Sequence, residues 1–483
     1  MSAEDHTRLF WEEVEAIFDP EKAADDPRLF CARDPDYNPL VRLQRELARP
    51  TGRISRKHLL VGTVGNGKTS ELYHLAGELA PTRMVVLLDL WQHFVGSVRD
   101  PNAIDRIEPW ELLGLLGLAI YRAGIERFDH SWDDEPKKLQ KALETLRKQD
   151  TVAGGDAEID VSKLARGLAI AASGVIGAAL AGPVGAALGT ATASTVGTAG
   201  LAVLDAASDA TSWSWPVGLP GTRKRSDQDT EVRSLLAAVN EMIRSLQGAY
   251  ARRLLLIVDG LDRVRDGERA RTLFAESSLT LELDCDLLAT SPFELLGEYA
   301  HEGRGPQVQI LCNVPVLSRA DPSQPGPGLV FFHELTSRRL AEVGRILREK
   351  GVSAPDDPLP PAIVDRLARY GGGLPREFVR MVRMVAGEAW EAQITTIDDT
   401  IVDRVLREAR RLKEAQLTAE EIELLEAVMA DPQHRRPGGA LANKLIEQLR
   451  LLPYPNDTEW YYPHPLLTLA LLKPQPTATP SPS

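Results

Sequence analysis

The chain has 483 residues, a formal net charge of −13 and an apolar fraction of 43%. This apolar share is ordinary for globular proteins and excludes a wholly disordered chain, while the length predicts roughly two to four domains. Three scattered cysteines exclude a disulfide framework, and no Cys/His cluster in the sequence predicts zinc. The acidic start lacks the basic and apolar regions of a secretory signal, so we expect a cytoplasmic protein. The acidic balance also argues against a surface devoted to nucleic acid.

In chain order, a polar helical segment is predicted over residues 1–54, followed by alternating strands and helices over residues 55–335. A helix is expected from Lys68 to Leu79. Short apolar runs predict the strands, at residues 58–62, 83–91, 254–262, 286–291 and 308–314. Strands that alternate with helices indicate an α/β domain with a mostly parallel sheet.

The pattern becomes helical over residues 336–416, where we predict a lid of four helices at 337–350, 361–370, 375–391 and 398–416. Residues 417–473 contain two helical segments, at 419–429 and 440–451, followed by a Tyr-Pro-Asn-Asp turn and an aromatic run. That order is typical of a winged-helix domain. The Pro/Ser/Thr-rich tail, residues 474–483, is expected to be disordered.

Residues 62–69 match the phosphate-loop pattern G-x-x-x-x-G-K-[ST] in full. The glycines let the backbone curl so that N–H groups point at phosphate oxygens, and the following helix directs its positive end at the anion. Lys68 would contact the β- and γ-phosphates, and the Thr69 hydroxyl would hold Mg²⁺. The absence of a guanine-reading N-K-x-D motif favours ATP. The predicted nucleotide-binding residues are Gly62, Thr63, Val64, Gly65, Asn66, Gly67, Lys68, Thr69 and Ser70.

A second candidate site is the acidic end of the apolar run 254–258. Asp259 stands where a P-loop NTPase places its second metal-coordinating group, and Asp262 is the nearest carboxylate that could polarise the attacking water. The alternative is structural, with Asp259 and Gly260 in an ordinary turn and Asp262 and Arg263 as a surface pair.

Together the two motifs resemble those of the additional-strand P-loop NTPases, the group that includes AAA+ and STAND proteins. The segment Val258–Arg263 is similar to the D-x-x-D-[RE] signature of STAND and KAP NTPases, and its arginine is most KAP-like. The resemblance implies a parallel sheet with helices on both faces and a sensor strand ending at Thr290 or Ser291. It also implies that Arg376, in the G-G-G-L-P-R element of the lid, senses the γ-phosphate. Arg263 stands where many members are acidic, which implies that hydrolysis rests on Asp262 and is slow.

A long insertion, about residues 125–229, separates the two motifs, and its residues 167–204 carry no charged side chain. KAP NTPases carry membrane helices at this place, so one interpretation is a hairpin that contacts a membrane. The Ala, Gly, Thr and Ser residues of the segment contribute little hydrophobicity, which favours instead a soluble, closely packed helical hairpin or a flexible segment that orders on assembly. Both interpretations stay open, and with the first the protein would be membrane-associated.

The sequence is compatible with three functions. The first is an ATP-hydrolysing regulatory switch that assembles with itself or with a protein partner. In such an assembly Arg338 or Arg339 would act on a neighbouring subunit. The family resemblance implies a role in a bacterial defence system. The second is a DNA-binding ATPase, although the presumed wing, residues 456–460, is acidic. The third is a nucleotide-binding scaffold that does not hydrolyse. A basic helix face is interpreted as solvated rather than as a nucleic-acid contact and comprises Arg404, Arg407, Arg410, Arg411 and Lys413.

Overall fold

The computed structural model describes residues 3–49, 55–94, 101–148, 159–160, 214–215, 224–293, 295, 305–455 and 459–472. The uncharged segment 167–204 and the tail 474–483 lie outside the described residues, so the expectations for them stay predictions. The chain divides into two compact units. We call them the loop unit (Met1–Pro39, Gly62–Ser70 and Ile310–Ser483) and the sheet unit (Leu40–Val61 and Glu71–Gln309).

A five-stranded sheet organises the sheet unit, in the order β2-β5-β6-β1-β7. Its pairs β1–β6, β2–β5 and β5–β6 are parallel, and β6 lies between β1 and β5 as the additional strand. All residues of β1, β2, β5 and β6 are buried, which explains why these strands appear in the sequence as unbroken apolar runs. The strands are β1 Lys57–Val61, β2 Met84–Asp89, β5 Leu254–Asp259, β6 Asp286–Ser291 and β7 Gln307–Ile310. The predicted α/β fold of the P-loop NTPase class is confirmed.

Helices cover this sheet, and a short antiparallel pair, β3 Ile159–Asp160 with β4 Ser214–Trp215, completes the described part of the unit. A long apolar helix begins at Pro109, where a proline at the first helical position and a capping box of Glu108 with Glu111 define the start. It packs on the helix that precedes β5. The helices are α2 Pro39–Leu47, α3 Lys68–Leu79, α4 Leu90–His93, α5 Pro109–Phe128, α6 Glu135–Lys148, α7 Thr230–Tyr250 and α8 Gly267–Arg271.

The loop unit is helical and has its own hydrophobic core, around Trp11, Phe332 and Phe378. The first helix packs on the helices Leu329–Glu349 and Pro375–Ala392, and the Trp11 Nε1 donates to the Ile394 carbonyl at 2.7 Å. The helices are α1 Ala3–Ile17, α9 Leu329–Glu349, α10 Pro361–Tyr370, α11 Pro375–Ala392, α12 Asp399–Glu414, α13 Ala419–Ala430 and α14 Ala440–Glu447.

An antiparallel hairpin follows α14, with strands β8 Leu451–Tyr454 and β9 Trp460–Pro463. Tyr454 and Trp460 pair across it and stack, with their ring centroids 4.9 Å apart. Two helices followed by a hairpin is the predicted order of elements, and the assignment as a winged helix stays a prediction. Residues 456–458, within the expected wing, lie outside the described residues.

Several predicted element ends were wrong, among them the end of the helix expected at 440–451, which is Glu447 because β8 begins at Leu451. The strand expected at 83–91 ends at Asp89, because helix α4 begins at Leu90. The strand expected at 308–314 ends at Ile310, because the residues after it bind the phosphate loop as described below. The first lid helix begins at Leu329 rather than at residue 337, since Phe332 packs into the core of the loop unit. In the ranges that the structure describes, no helix is both long and apolar enough to cross a membrane.

Candidate functional site

The phosphate loop leaves β1 at Gly62 and enters α3 at Lys68, and its glycines explain its shape. Gly65 has a φ of 82° and Gly67 a φ of 95°, backbone conformations that side chains with a Cβ rarely adopt. At Gly62 the restriction is space, because an added Cβ would lie 2.4 Å from the Asn66 Nδ2 and 2.6 Å from the Leu311 carbonyl oxygen. All three glycines are therefore needed for the curl.

The Lys68 side chain folds back into this curl. Its Nζ donates to the carbonyl oxygens of Gly62 at 2.8 Å and Thr63 at 2.9 Å, and the residue is 95% buried, with 5% exposed. A compact ammonium is thus held within the loop, at the N-terminus of a helix. Positive charge at this place, together with a helix N-terminus, is suited to binding phosphate.

Two loop side chains bind the segment that follows β7. The Thr63 Oγ1 donates to the Asn313 Oδ1 at 2.7 Å, and the Asn66 Nδ2 donates to the Leu311 carbonyl oxygen at 2.6 Å. Asn66 and Asn313 are fully buried. These bonds attach two side chains of the phosphate loop to the segment that follows β7.

The N-terminal segment also holds the loop, which the sequence did not suggest. The buried Arg33 donates from Nη1 to the Cys312 carbonyl at 2.8 Å and from Nη2 to the Asn66 carbonyl. The Ser70 hydroxyl, expected to bind nucleotide, accepts from the Ala24 backbone N–H at 2.9 Å. A lone arginine and a stretch of loop carry no sequence pattern, so only the structure could show this role.

Arg376 reaches the phosphate loop within the loop unit. Its backbone N–H donates to the Gly65 carbonyl at 3.1 Å, and its Nε donates to the Pro20 carbonyl at 3.1 Å. A Cβ added to Gly65 would lie 3.1 Å from the Arg376 Cβ. The structure therefore brings the predicted lid arginine to the loop, and its role in sensing the γ-phosphate stays a prediction.

The triglycine turn before Arg376 connects the loop surroundings to the hairpin. Gly372 and Gly373 have φ values of 66° and 71°, and a Cβ on Gly373 would lie 2.0 Å from the Val314 carbonyl oxygen. The Tyr454 hydroxyl of β8 donates to the Gly372 carbonyl at 3.1 Å. The Asn313 backbone N–H donates to the Pro453 carbonyl, also of β8, at 3.0 Å. Strand β8 thus bonds to Asn313, a partner of the loop, and to the turn before Arg376.

In the sheet unit, the predicted acidic site lies at the carboxyl end of β5. Asp259 is 4% exposed and its Oδ1 accepts from the Gly260 N–H at 2.8 Å. Asp262 lies three residues on, half-buried in a 3₁₀ turn, and the Arg263 guanidinium lies 4.0 Å from the ring centroid of Trp91. Arg263 is therefore stacked on an aromatic ring, so the interpretation of residues 262–263 as a plain surface pair is incomplete.

Thr290, the expected sensor residue, lies on β6 and is fully buried. Its Oγ1 has no hydrogen-bond partner among the described residues. Thr69, the expected magnesium ligand of the loop, is the second residue of α3 and half-buried. Thr290 thus lies near the end of a strand and Thr69 at the start of a helix.

The three cysteines of the chain are buried. Burial raises the pKa of the Cys285 and Cys312 thiols to about 12, so neither is a thiolate at neutral pH. No three His, Cys, Asp or Glu side chains in the described ranges group together as a metal cluster.

Arg339, a candidate for acting on a neighbouring subunit, is held within its own chain. Burial lowers the pKa of Arg339 to about 10, and its Nη1 donates to the Ile17 carbonyl. Arg339 is therefore buried in its own chain rather than directed at a neighbouring subunit, and the role of Arg338, the other candidate, stays a prediction.

No protein-family model matches the chain, and no curated protein matches it. Among solved structures, it is similar to the ORC2 protein of Aeropyrum pernix in its ADP form, with 11% identity and a TM-score of 0.41 over 94% of each chain. It is also similar to Cdc6p from Pyrobaculum aerophilum, with 13% identity and a TM-score of 0.38 over 94% of this chain and 95% of that one. The Thermotoga maritima RuvB Holliday junction branch migration motor shares 15% identity, with a TM-score of 0.22 over 44% of this chain and 70% of its own. No residue role in this chain follows from similarities at these levels.

Proposed function

We propose that the protein binds and hydrolyses ATP with Mg²⁺ as an ATPase of the AAA+ type, and that the nucleotide works as a switch. The observation that carries the proposal is the phosphate loop itself. Its glycine-dependent curl, its enclosed Lys68 ammonium and its junction with the start of α3 are what phosphate oxygens require. Few other ligands would use all three features.

Magnesium fits the residues that the proposal assigns to it. Thr69 offers a hydroxyl at the start of α3 and Asp259 a carboxylate at a strand end, and Mg²⁺ prefers oxygen donors of these kinds. When bound, Mg²⁺ neutralises charge that develops on the phosphate oxygens. Lys68 would contact the β- and γ-phosphates, and Asp262 would orient the attacking water. The assignments of Asp259 and Asp262 rest on their places after β5.

The switch is supported by what the loop binds in its own unit. Bound phosphates would draw the Lys68 Nζ away from the Gly62 and Thr63 carbonyls and so change the conformation of the loop. The loop is bonded to the rest of its unit at two places that this change would affect. At one place the Gly65 carbonyl accepts from the Arg376 N–H, and at the other the Thr63 hydroxyl donates to Asn313. Strand β8 bonds both to Asn313 and to the glycine turn that precedes Arg376. A shift of the loop would therefore be transmitted to the C-terminal hairpin.

The test compares ATP binding and turnover of the wild type, Lys68→Ala and Asp262→Asn, with Lys137→Ala as the control on an exposed lysine paired with Asp134. A hydrogen bond to a charged group contributes about 1.5–3 kcal/mol, so Lys68→Ala should weaken ATP binding by about 10- to 150-fold. Asp262→Asn should bind ATP normally and lose turnover, and Lys137→Ala should match the wild type. A wild type that fails to bind ATP refutes the proposal; one that binds without turnover favours the scaffold function.

The alternative function, DNA binding, is not favoured by the charged residues on the described part of α12. Arg404 pairs with Glu388, and Arg410 pairs with Glu414 at 3.5 Å, so part of the basic face is neutralised within the chain. Self-assembly, a protein partner and a role in bacterial defence stay expectations from the family resemblance.

A further inference from the structure

Asp89 lies beside Asp259, a placement that the sequence did not suggest. It ends β2 as Asp259 ends β5, and the register of this parallel pair sets the two residues opposite each other. Neighbouring strands lie about 4.8 Å apart, and paired residues of parallel strands present their side chains on the same face. Both residues are more than 90% buried, with Asp89 7% and Asp259 4% exposed. Two carboxylates are therefore adjacent at one end of the sheet.

A second and independent observation lies on the next strand. Val258 pairs with Ala289, so the following residues, Asp259 and Thr290, continue the same register. Thr290 is fully buried and its Oγ1 has no hydrogen-bond partner among the described residues. A buried hydroxyl without a hydrogen-bond partner is unfavourable, so this one points to a ligand that would complete its hydrogen bonding.

The row continues to β1, where Leu60 pairs with Thr290. Leu60 stands two residues before Gly62, the first residue of the phosphate loop. The transverse row Asp89, Asp259, Thr290 and Leu60 thus runs along the carboxyl ends of four parallel strands. In open parallel α/β sheets, ligands bind at this edge.

We infer that Asp89 and Asp259 together hold a divalent cation at the carboxyl ends of β2 and β5, with the Thr290 hydroxyl beside them. Mg²⁺ is commonly held by one or two carboxylates together with phosphate oxygens and water. This inference rests on the proposed function, which assigned Asp259 to the cation. The inference adds a second carboxylate ligand, Asp89, which is supplied by β2 rather than by the turn that holds Asp262.

The first experiment measures Mn²⁺ binding to the nucleotide-free protein from the electron paramagnetic resonance signal of free Mn²⁺. The variants are Asp89→Asn and Asp259→Asn, which keep the side-chain shape. The control is Asp284→Asn, on a carboxylate that is 44% exposed and pairs with Arg244 outside the row. We expect at least tenfold weaker binding in both row variants and wild-type binding in the control. A wild type without Mn²⁺ binding, or an Asp89→Asn variant that binds Mn²⁺ as the wild type does, overturns the inference.

The second experiment measures the Mg²⁺ concentration for half-maximal ATP turnover, after thermal melting has shown each variant to be folded. Asp89→Asn should raise this concentration at least tenfold, while its binding of ATP in the presence of EDTA stays at the wild-type level. A residue with a merely structural role would lower turnover without moving the Mg²⁺ midpoint, and that result counts against the inference. If the wild type does not bind ATP, the proposed function fails, and the Mn²⁺ experiment alone decides the cation site.

Discussion

Gly65→Ala tests whether the curl of the phosphate loop depends on a residue without a Cβ. Gly65 has a φ of 82°, and a left-handed backbone costs an alanine about 1–2 kcal/mol. The new Cβ would also lie 3.1 Å from the Arg376 Cβ and 3.4 Å from its Cδ, a tight contact against a helix start. We therefore expect a destabilisation of at least about 1–2 kcal/mol and a large loss of ATP affinity.

The expected change in melting temperature follows from the size of the unit. For domains of about 150–250 residues, 1 kcal/mol shifts Tm by about 2–4 °C, so Gly65→Ala should lower Tm by about 2–8 °C. The matched control is Gly344→Ala, within α9 of the same unit, where an added Cβ meets nothing within 4 Å. An alanine in a helix interior is about 0.5–1 kcal/mol better than glycine, so this control should raise Tm by about 1–4 °C.

The assay is thermal melting of the wild type and both variants, with and without ATP and Mg²⁺. ATP should raise the Tm of the wild type and of Gly344→Ala, and it should have little effect on Gly65→Ala. A Gly65→Ala protein with wild-type Tm and a full shift on ATP addition would show that the loop tolerates a Cβ. The argument from φ and from the Arg376 contact would then be wrong.

Two further predictions concern stability. Asp286 is 2% exposed, accepts from the Arg56 N–H at 2.9 Å and pairs with Arg83 at 3.1 Å. Asp286→Ala would leave the buried arginine without its partner, so it should lower the free energy of unfolding, measured in urea, by about 3–5 kcal/mol. A loss below about 1 kcal/mol would contradict the importance of the buried pair. Burial lowers the pKa of His464 well below its usual 6.5. Below about pH 6.5 the unfolded chain therefore binds a proton that the folded state does not bind, so the stability of the folded state falls as the pH drops. His464→Gln should therefore lose less Tm than the wild type between about pH 7.5 and about pH 5.5, and equal losses would refute this cause.

The local features of the protein could be predicted from the sequence. The phosphate loop is contiguous in the chain, and its residue types are dictated by a short backbone curl, so G-x-x-x-x-G-K-[ST] was sufficient to locate it. The buried strands were visible because strands covered on both faces carry unbroken apolar runs. The helix from Lys68 to Leu79 was predicted with the bounds that the structure shows. These features depend on neighbours in the sequence.

The surroundings of the loop were decided by tertiary structure. Arg33 and Asn313 contact the loop from positions far away in the chain, and no spacing pattern joins residues that meet only when the chain folds. In the sequence Asp89 lies inside the strand predicted at 83–91, and only the register between β2 and β5 sets it opposite Asp259. Strand order and register are set by packing over the whole sheet, so pairs of side chains that belong to different strands follow from the fold and not from local sequence.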